Sequence, residues 1–249
     1  MTQRPLFSRS LWHGLVLLAF VGSTATLWHK PTGKQNMASL PPGAVVLFSG
    51  QPEELKANFV RRGTNQPGHW RIKDGALVVG GGDITTRQKF ADYMFHVEFK
   101  VPFMPNASGQ GRGNSGIGLQ GKYEIQVLDS FGFKLPGKGD CGSVYSQAAP
   151  LVPASKAPNE WQSYDIIFRR PRLDAQGNKT ALARVTVLHN GIPVQNNTEI
   201  VLGATGIGSG RDTMDPNVII FQDHGNTVEY RNLWILPLPD KGSDDYNPH

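Results

Sequence analysis

The chain reads as an all-β protein, a two-sheet antiparallel β-sandwich of jelly-roll type. Short β-branched and aromatic runs recur along it, separated by turn residues drawn from its 29 glycines and 18 prolines. Helical periodicity is weak, and only residues 52–58 suit one or two helical turns. No second linker and no internal repeat breaks the succession of strands, so a single domain of two packed sheets accounts for the pattern.

Taken in order, a polar Pro- and Gly-rich linker over residues 26–43 leads to a first strand at 45–48. Residues 70–79 form a hairpin turning at Asp74-Gly75, a pair suited to the tight primed turns of hairpins. Residues 93–101 alternate, with Phe95, Val97, Phe99 and Val101 on one face. Two further strands lie within 111–130 and join near Gly121. Residues 163–169 pair with 183–189 across a polar loop at 171–179, and strands at 218–222 and 228–236 complete the set. The sandwich domain is thereby bounded at 44–238, with a polar tail over 239–249.

The net charge of +5 is concentrated at the N-terminus. Residues 1–36 hold Arg4, Arg9, Lys30 and Lys34 and no acid, which leaves 21 basic against 20 acidic side chains in the remainder. Nucleic-acid binding needs a dense positive face to displace counterions, and the sequence has no basic stripe. Arg4 and Arg9 precede an apolar stretch at 15–21 and small residues at 23–25, the layout of a secretory signal over residues 1–25. An uncleaved anchor is the competing reading, because weak apolar character resumes to Trp28. The expected location is periplasmic or secreted, with no membrane span in the mature protein. Cys141 is the single cysteine, so no internal disulfide can form.

The stretch 111–130 carries the strongest chemical signal. Strand alternation sets Asn114, Gln120, Glu124 and Gln126 on one sheet face, with Gly116 and Gly118 between them as a shallow floor. Amides and a carboxyl on such a floor suit a hydroxyl-rich ligand, since each hydroxyl both donates and accepts. Asp129 either joins this set or caps the turn that follows it. A second constellation is Gln222-Asp-His-Gly225, where an apolar strand ends at Asp223 and His224. His224 is either an acid–base group or a hydrogen-bonded structural histidine. Glu229 and Arg231 share a strand face and suit an ion pair. Tyr145, Trp161 and Tyr164 suit sugar stacking or the core. The histidines lack metal-ligand spacing, so no metal or other cofactor is expected; a structural Ca²⁺ and the oligomeric state are left open.

Together the motifs Arg112-Gly-Asn-Ser-Gly116, Leu119-Gln-Gly-Lys-Tyr-Glu-Ile-Gln-Val-Leu-Asp-Ser130, Gly142–Tyr145, Glu160-Trp-Gln-Ser-Tyr-Asp165, 183–191, Gln222–Gly225 and Arg231-Asn-Leu-Trp234 closely resemble the 3-keto-disaccharide hydrolase domain family. The resemblance runs in order over about residues 45–237. It implies a concanavalin A-like sandwich, export, and action on glycosides whose C3 hydroxyl has been oxidised to a ketone. Laminarinase-type enzymes of similar fold carry Glu-x-Asp-x-x-Glu on one strand, whereas this chain has Glu124-Ile-Gln126-Val-Leu-Asp129. Gln126 cannot ionise, so the carboxylate pair of ordinary glycoside hydrolysis is missing from the motif. A 3-keto group instead acidifies the C2 proton, and one base with several amide donors suffices for elimination. On this reading Glu124 or His224 removes that proton and the other assists the leaving oxygen. Asn114, Gln120, Gln126 and Arg231 bind hydroxyls or the enolate of an oligosaccharide or glycoside, and Asp129 or Asp223 orients them. A non-catalytic lectin-like domain and a module docking other exported proteins are the alternatives the same fold allows.

Overall fold

The computed structural model describes residues 40–203 and 205–242. The expected signal segment, most of the linker and the end of the tail lie outside the described residues. Nearly every described element is a strand, and all strand pairings are antiparallel. Among the described residues, no helix is long and apolar enough to cross a membrane.

The larger sheet has eight strands. Its centre is formed by β6 (Asp92–Lys100) between β9 (Gln162–Arg169) and the long β15 (Glu229–Leu238). Beyond β9 come β12 (Ala183–His189) and the edge strand β13 (Ile192–Ile200). On its other side β15 pairs with β4 (Ala76–Val78), which pairs with β3 (Arg71–Lys73), and further along with β1 (Val45–Phe48). The smaller sheet runs β2 (Phe59–Arg61), β5 (Ile84–Thr86), β14 (Ile220–Phe221), β7 (Ser115–Leu119) and β8 (Tyr123–Val127). A short ribbon of β10 (Arg172–Leu173) and β11 (Lys179–Ala181) decorates the loop between β9 and β12, and α1 (Pro52–Asn58) follows β1.

Pairs of residues with left-handed φ sit at the tips of three hairpins, forming the whole loop in two of them, while Lys122 extends the β7–β8 connection to three residues. Asp74-Gly75, Gln120-Gly121 and Asn190-Gly191 all adopt left-handed φ at both positions, 51° and 75°, 53° and 71°, 54° and 79°. That backbone matches the twist of the flanking strands, and glycine at the second position takes it without a Cβ clash.

Alternation then divides each strand between core and outside. Tyr93, Phe95, Val97 and Phe99 of β6 and Tyr164, Ile166 and Phe168 of β9 are fully buried. They face Ile117, Leu119, Tyr123, Ile125 and Val127 of the smaller sheet. Phe221 packs edge-on to Phe95 and to Tyr230, at 6.1 and 5.4 Å between ring centroids, and so ties the two sheets together. The residues left on the outer face of the smaller sheet are those at Gly116, Gly118, Glu124 and Gln126, paired across β7 and β8. That face is the floor of the site.

Candidate active site

The hairpin of β7 and β8 builds the floor of a small cleft, about 110 Å³, lined by Gln110, Asn114, Glu124, Gln126, Tyr145, Gly206, Gln222 and His224. Glu124 and Gln126 come from alternate positions of β8, and Gln222 extends from the end of β14. The segment Gly142–Tyr145 pairs with β8, with Tyr145 N donating to Glu124 O at 3.0 Å and Gly142 N to Gln126 O at 3.0 Å, and this brings Tyr145 alongside. His224 sits exposed on the turn after β14.

Glycine is required where the floor meets the carboxyl. A Cβ on Gly116 would lie 2.4 Å from Glu124 Oε1, and one on Gly206 would lie 2.8 Å from Glu124 Oε2. Each carboxyl oxygen is therefore flanked by bare backbone. Thr205 Oγ1 accepts from Glu124 N at 2.5 Å, which holds the loop carrying Gly206 against β8. The Gln126 amide is oriented with its nitrogen toward Glu124, since the reverse would set its oxygen against two acceptors. In that orientation it donates to Glu124 Oε1 at 3.1 Å and to Ser115 O at 2.9 Å.

This setting shifts the acid. Burial pushes the Glu124 carboxyl up from 4.5 to about 7, and the negative charge of Asp83 adds to the rise. A carboxyl poised near neutrality is both a usable base and a usable acid at physiological pH. Glu124 stands without a second carboxylate in the cleft lining.

The structure sorts the residues singled out from the sequence. Asn114, Glu124, Gln126 and His224 come together in this cleft. Gln120 does not, because it occupies the left-handed turn position where strand alternation ends, and its Nε2 donates to Asp215 O at 2.7 Å. Asp129 lies past the end of β8, where Oδ2 accepts from Arg112 Nη2 at 2.7 Å and Oδ1 from Phe131 N at 3.2 Å. It caps the turn. Asp223 acts on the loop bearing His224: its Oδ1 accepts from Gly225 N at 2.8 Å and its Oδ2 from Gly82 N at 2.7 Å. Arg231 is on the outer face of the larger sheet, on the far side of the sandwich from Glu124. There its Nε donates to Glu98 Oε2 at 2.6 Å and its guanidinium stacks on Trp161 at 3.9 Å, so the expected pairing with Glu229 is replaced by Glu98. Glu229 pairs with Lys100 instead, at 2.8 Å.

Besides Tyr145, for which the sequence allows either sugar stacking or the core, three lining residues were not assigned to the site from sequence. Gln222 and Tyr145 fall inside motifs that carry the resemblance, a signal that was present. Gln110 and Gly206 lie in loops, where no periodicity reports which way a residue faces.

Comparison with known proteins agrees with this architecture. The model of a family described as a 3-keto-alpha-glucoside-1,2-lyase-like domain matches residues 43–236. A candidate glycosyl hydrolase from Parabacteroides distasonis ATCC 8503 is 37% identical, with a TM-score of 0.72 over 80% of this chain and 85% of that one. Two more candidate glycosyl hydrolases from the same organism share the fold. They are 18% and 22% identical, with TM-scores of 0.55 and 0.52, over 79% and 78% of this chain and 95% and 99% of theirs. No curated protein matches the chain. Family and fold are those of a carbohydrate-active, glycosyl-hydrolase-like protein.

Proposed function

The chain belongs to the 3-keto-alpha-glucoside-1,2-lyase-like domain family, and from that premise we propose that its cleft cleaves glycosides oxidised to a ketone at C3, by elimination followed by hydration. The observation that carries the reading is a lone carboxyl, Glu124, raised to about 7 and set among amides with one imidazole at the rim. That set suits proton abstraction beside a carbonyl. It lacks the spaced carboxylate pair that hydrolysis of an unoxidised sugar requires.

In the first step ionised Glu124 takes the C2 proton, and the C2–H electron pair moves into the C2–C3 bond while the C3 oxygen becomes an enolate. Amide donors from Gln110 and Gln222 are available to that oxygen and to neighbouring hydroxyls, each well-aimed donor being worth on the order of 10²–10³-fold, while the amide nitrogens of Gln126 and Asn114 already donate within the fold and position Glu124 and Gln110. The enolate then collapses to the ketone, a C1–C2 double bond forms, and the bond from C1 to the glycosidic oxygen breaks. His224 in its protonated form gives that oxygen a proton. Water then adds across the double bond: its oxygen bonds to C1 as His224 takes one of its protons, and Glu124 returns its proton to C2, which regenerates both groups and the 3-keto sugar and completes net hydrolysis. Tyr145 borders the cleft as a surface for the ring.

The N-terminal pattern of Arg4, Arg9 and the apolar run at 15–21 supports action outside the cytoplasm, which fractionation of expressing cells tests directly. For the reaction, the purified protein is incubated with 3-keto-trehalose and with trehalose, and released glucose is measured. Release from the keto sugar alone is the expected result. Cleavage of both sugars points to conventional hydrolysis, and saturable binding of the keto sugar without release points to a lectin-like role. Full turnover by both Glu124→Gln and His224→Ala removes these two residues from the mechanism.

A further inference from the structure

Outside the Glu124 cleft, the same sheet face carries a second cleft of about 500 Å³. Its size falls in the range of small-molecule sites, roughly 300–1,000 Å³. Its floor is Thr85 of β5 and Ile220 of β14, and its rim carries Asn65, Arg62, Arg87 and Lys89. Ile220 lies in β14 and Gln222 just past its end, two residues on, so the two floors are about 7 Å apart at the usual strand rise. The loop 205–208 separates them: Ile207 packs over Gly118, and Arg62 Nη2 donates to Ile207 O at 2.7 Å.

The charge of this second cleft sets it apart. No acidic residue is in its lining, against three cations. Arg62 is paired with Asp83 at 2.8 Å. Arg87 and Lys89 are exposed and have no carboxylate partner among the described residues; Arg87 Nη2 reaches only Lys56 O, at 3.5 Å. Strand pairing brings these cations together from separate stretches of a domain that is otherwise close to electroneutral. A concave site walled by one sign of charge concentrates ions of the other sign.

We propose that this second cleft binds an anionic group, a carboxylate or phosphate carried by a sugar or by the substituent attached to it. Arg87 and Lys89 supply the free charge and Asn65 a neutral polar group. That the anion belongs to the same molecule that reaches Glu124 rests on the function proposed above; the anion site itself does not.

The test is calorimetric titration at low ionic strength with glucose 6-phosphate, with glucuronate, and with methyl glucoside as the neutral control. We expect saturable binding of at least one anionic sugar, weakened by added salt, with the preferred anion identifying phosphoryl or carboxylate chemistry. In Arg87→Ala/Lys89→Ala that binding should fall about tenfold or more, while Glu124→Gln retains it. Both substituted side chains are exposed, so the unfolding midpoint should be unchanged; Lys89→Glu repeats the test with a single change. No saturable binding of either anion, equal binding of the neutral sugar, or undiminished binding in both cation variants overturns the proposal. Since Glu124→Gln is inactive on the proposed mechanism yet expected to bind, failure of the anion site and failure of the lyase reading give different results.

Discussion

Replacing Glu124 with Gln should remove activity and make the protein more stable, by an amount that grows as pH rises from about 4.5 to about 7. The unfolded chain holds this carboxyl at its ordinary value, while in the fold burial and Asp83 raise it from 4.5 to about 7. Between those values the native state binds the extra proton, so stability falls as pH rises through the window. The full difference is about 3 kcal/mol, absent below the lower value and complete above the upper one. Gln has the shape of the protonated acid and no charge to desolvate, so the variant escapes the penalty. Urea unfolding at pH 4.5 and at pH 8 reads the effect. Wild type and Glu124→Gln should be of similar stability at pH 4.5, and the variant should lead by about 2–3 kcal/mol at pH 8. A variant less stable than wild type at pH 8 would refute the account of a carboxyl held at a cost for function.

Turnover should follow the same group: kcat/KM on an aryl 3-keto-glycoside, whose leaving oxygen needs no proton, rises with pH and levels off above about 7, as Glu124 ionises to act as base. In Glu124→Gln that limb disappears and the rate drops by roughly 10²–10⁴-fold. His224→Ala should slow substrates with poor leaving groups and spare aryl glycosides, whose leaving oxygen needs no proton; equal loss on both classes would remove His224 as the acid. Gly116→Ala places a methyl group 2.4 Å from Glu124 Oε1 at an unstrained backbone position. The expected outcome is a destabilisation of about 1–3 kcal/mol by overpacking, with a displaced carboxyl and a kcat reduced more than stability alone explains.

How much of this the sequence displayed depends on which physical rule governs each residue. Alternation identified the β6 core face and the shared face of Asn114, Glu124 and Gln126, because a period of two directly reports inside from outside. It failed at Gln120, where a type I′ turn takes over from the strand, although the join near Gly121 was legible. It misled at Arg231 for a different reason. Alternation tells that a side chain faces outward, but a sandwich has two outsides, and only strand order assigns β15 to the larger sheet. Strand β13 escaped notice because Pro193, Gln195, Asn196 and Asn197 dilute its pattern; as an edge strand pairing only with β12, it tolerates them. The cations of the second cleft were invisible as a group, being spread over residues 62–89 with apolar strands between them.

The neighbour of Glu124 on its own strand face offers a sharper test of why one carboxyl is enough. Gln126 stands where a hydrolase of similar fold would carry an acid, and its amide meets Glu124 Oε1 at 3.1 Å. Substituting Gln126→Glu sets two carboxyls within hydrogen-bond reach, where they cannot both ionise and must share a proton. Conventional retaining hydrolysis needs its carboxyls about 5–5.5 Å apart and inverting hydrolysis about 6.5–9.5 Å, so that sugar or water fits between them. A pair in direct contact leaves no such room. The variant should therefore gain no cleavage of trehalose, while its pH profile on 3-keto-trehalose changes from one ionisation to two. It should also lose about 1–3 kcal/mol of stability, because Ser115 O forfeits the donor that now reaches it at 2.9 Å. Trehalose cleavage by Gln126→Glu would mean that the two side chains are not held in contact and that this fold is one substitution from ordinary hydrolysis. Its absence, with the doubled titration present, would tie the choice of chemistry to the spacing of adjacent outward positions on a single strand.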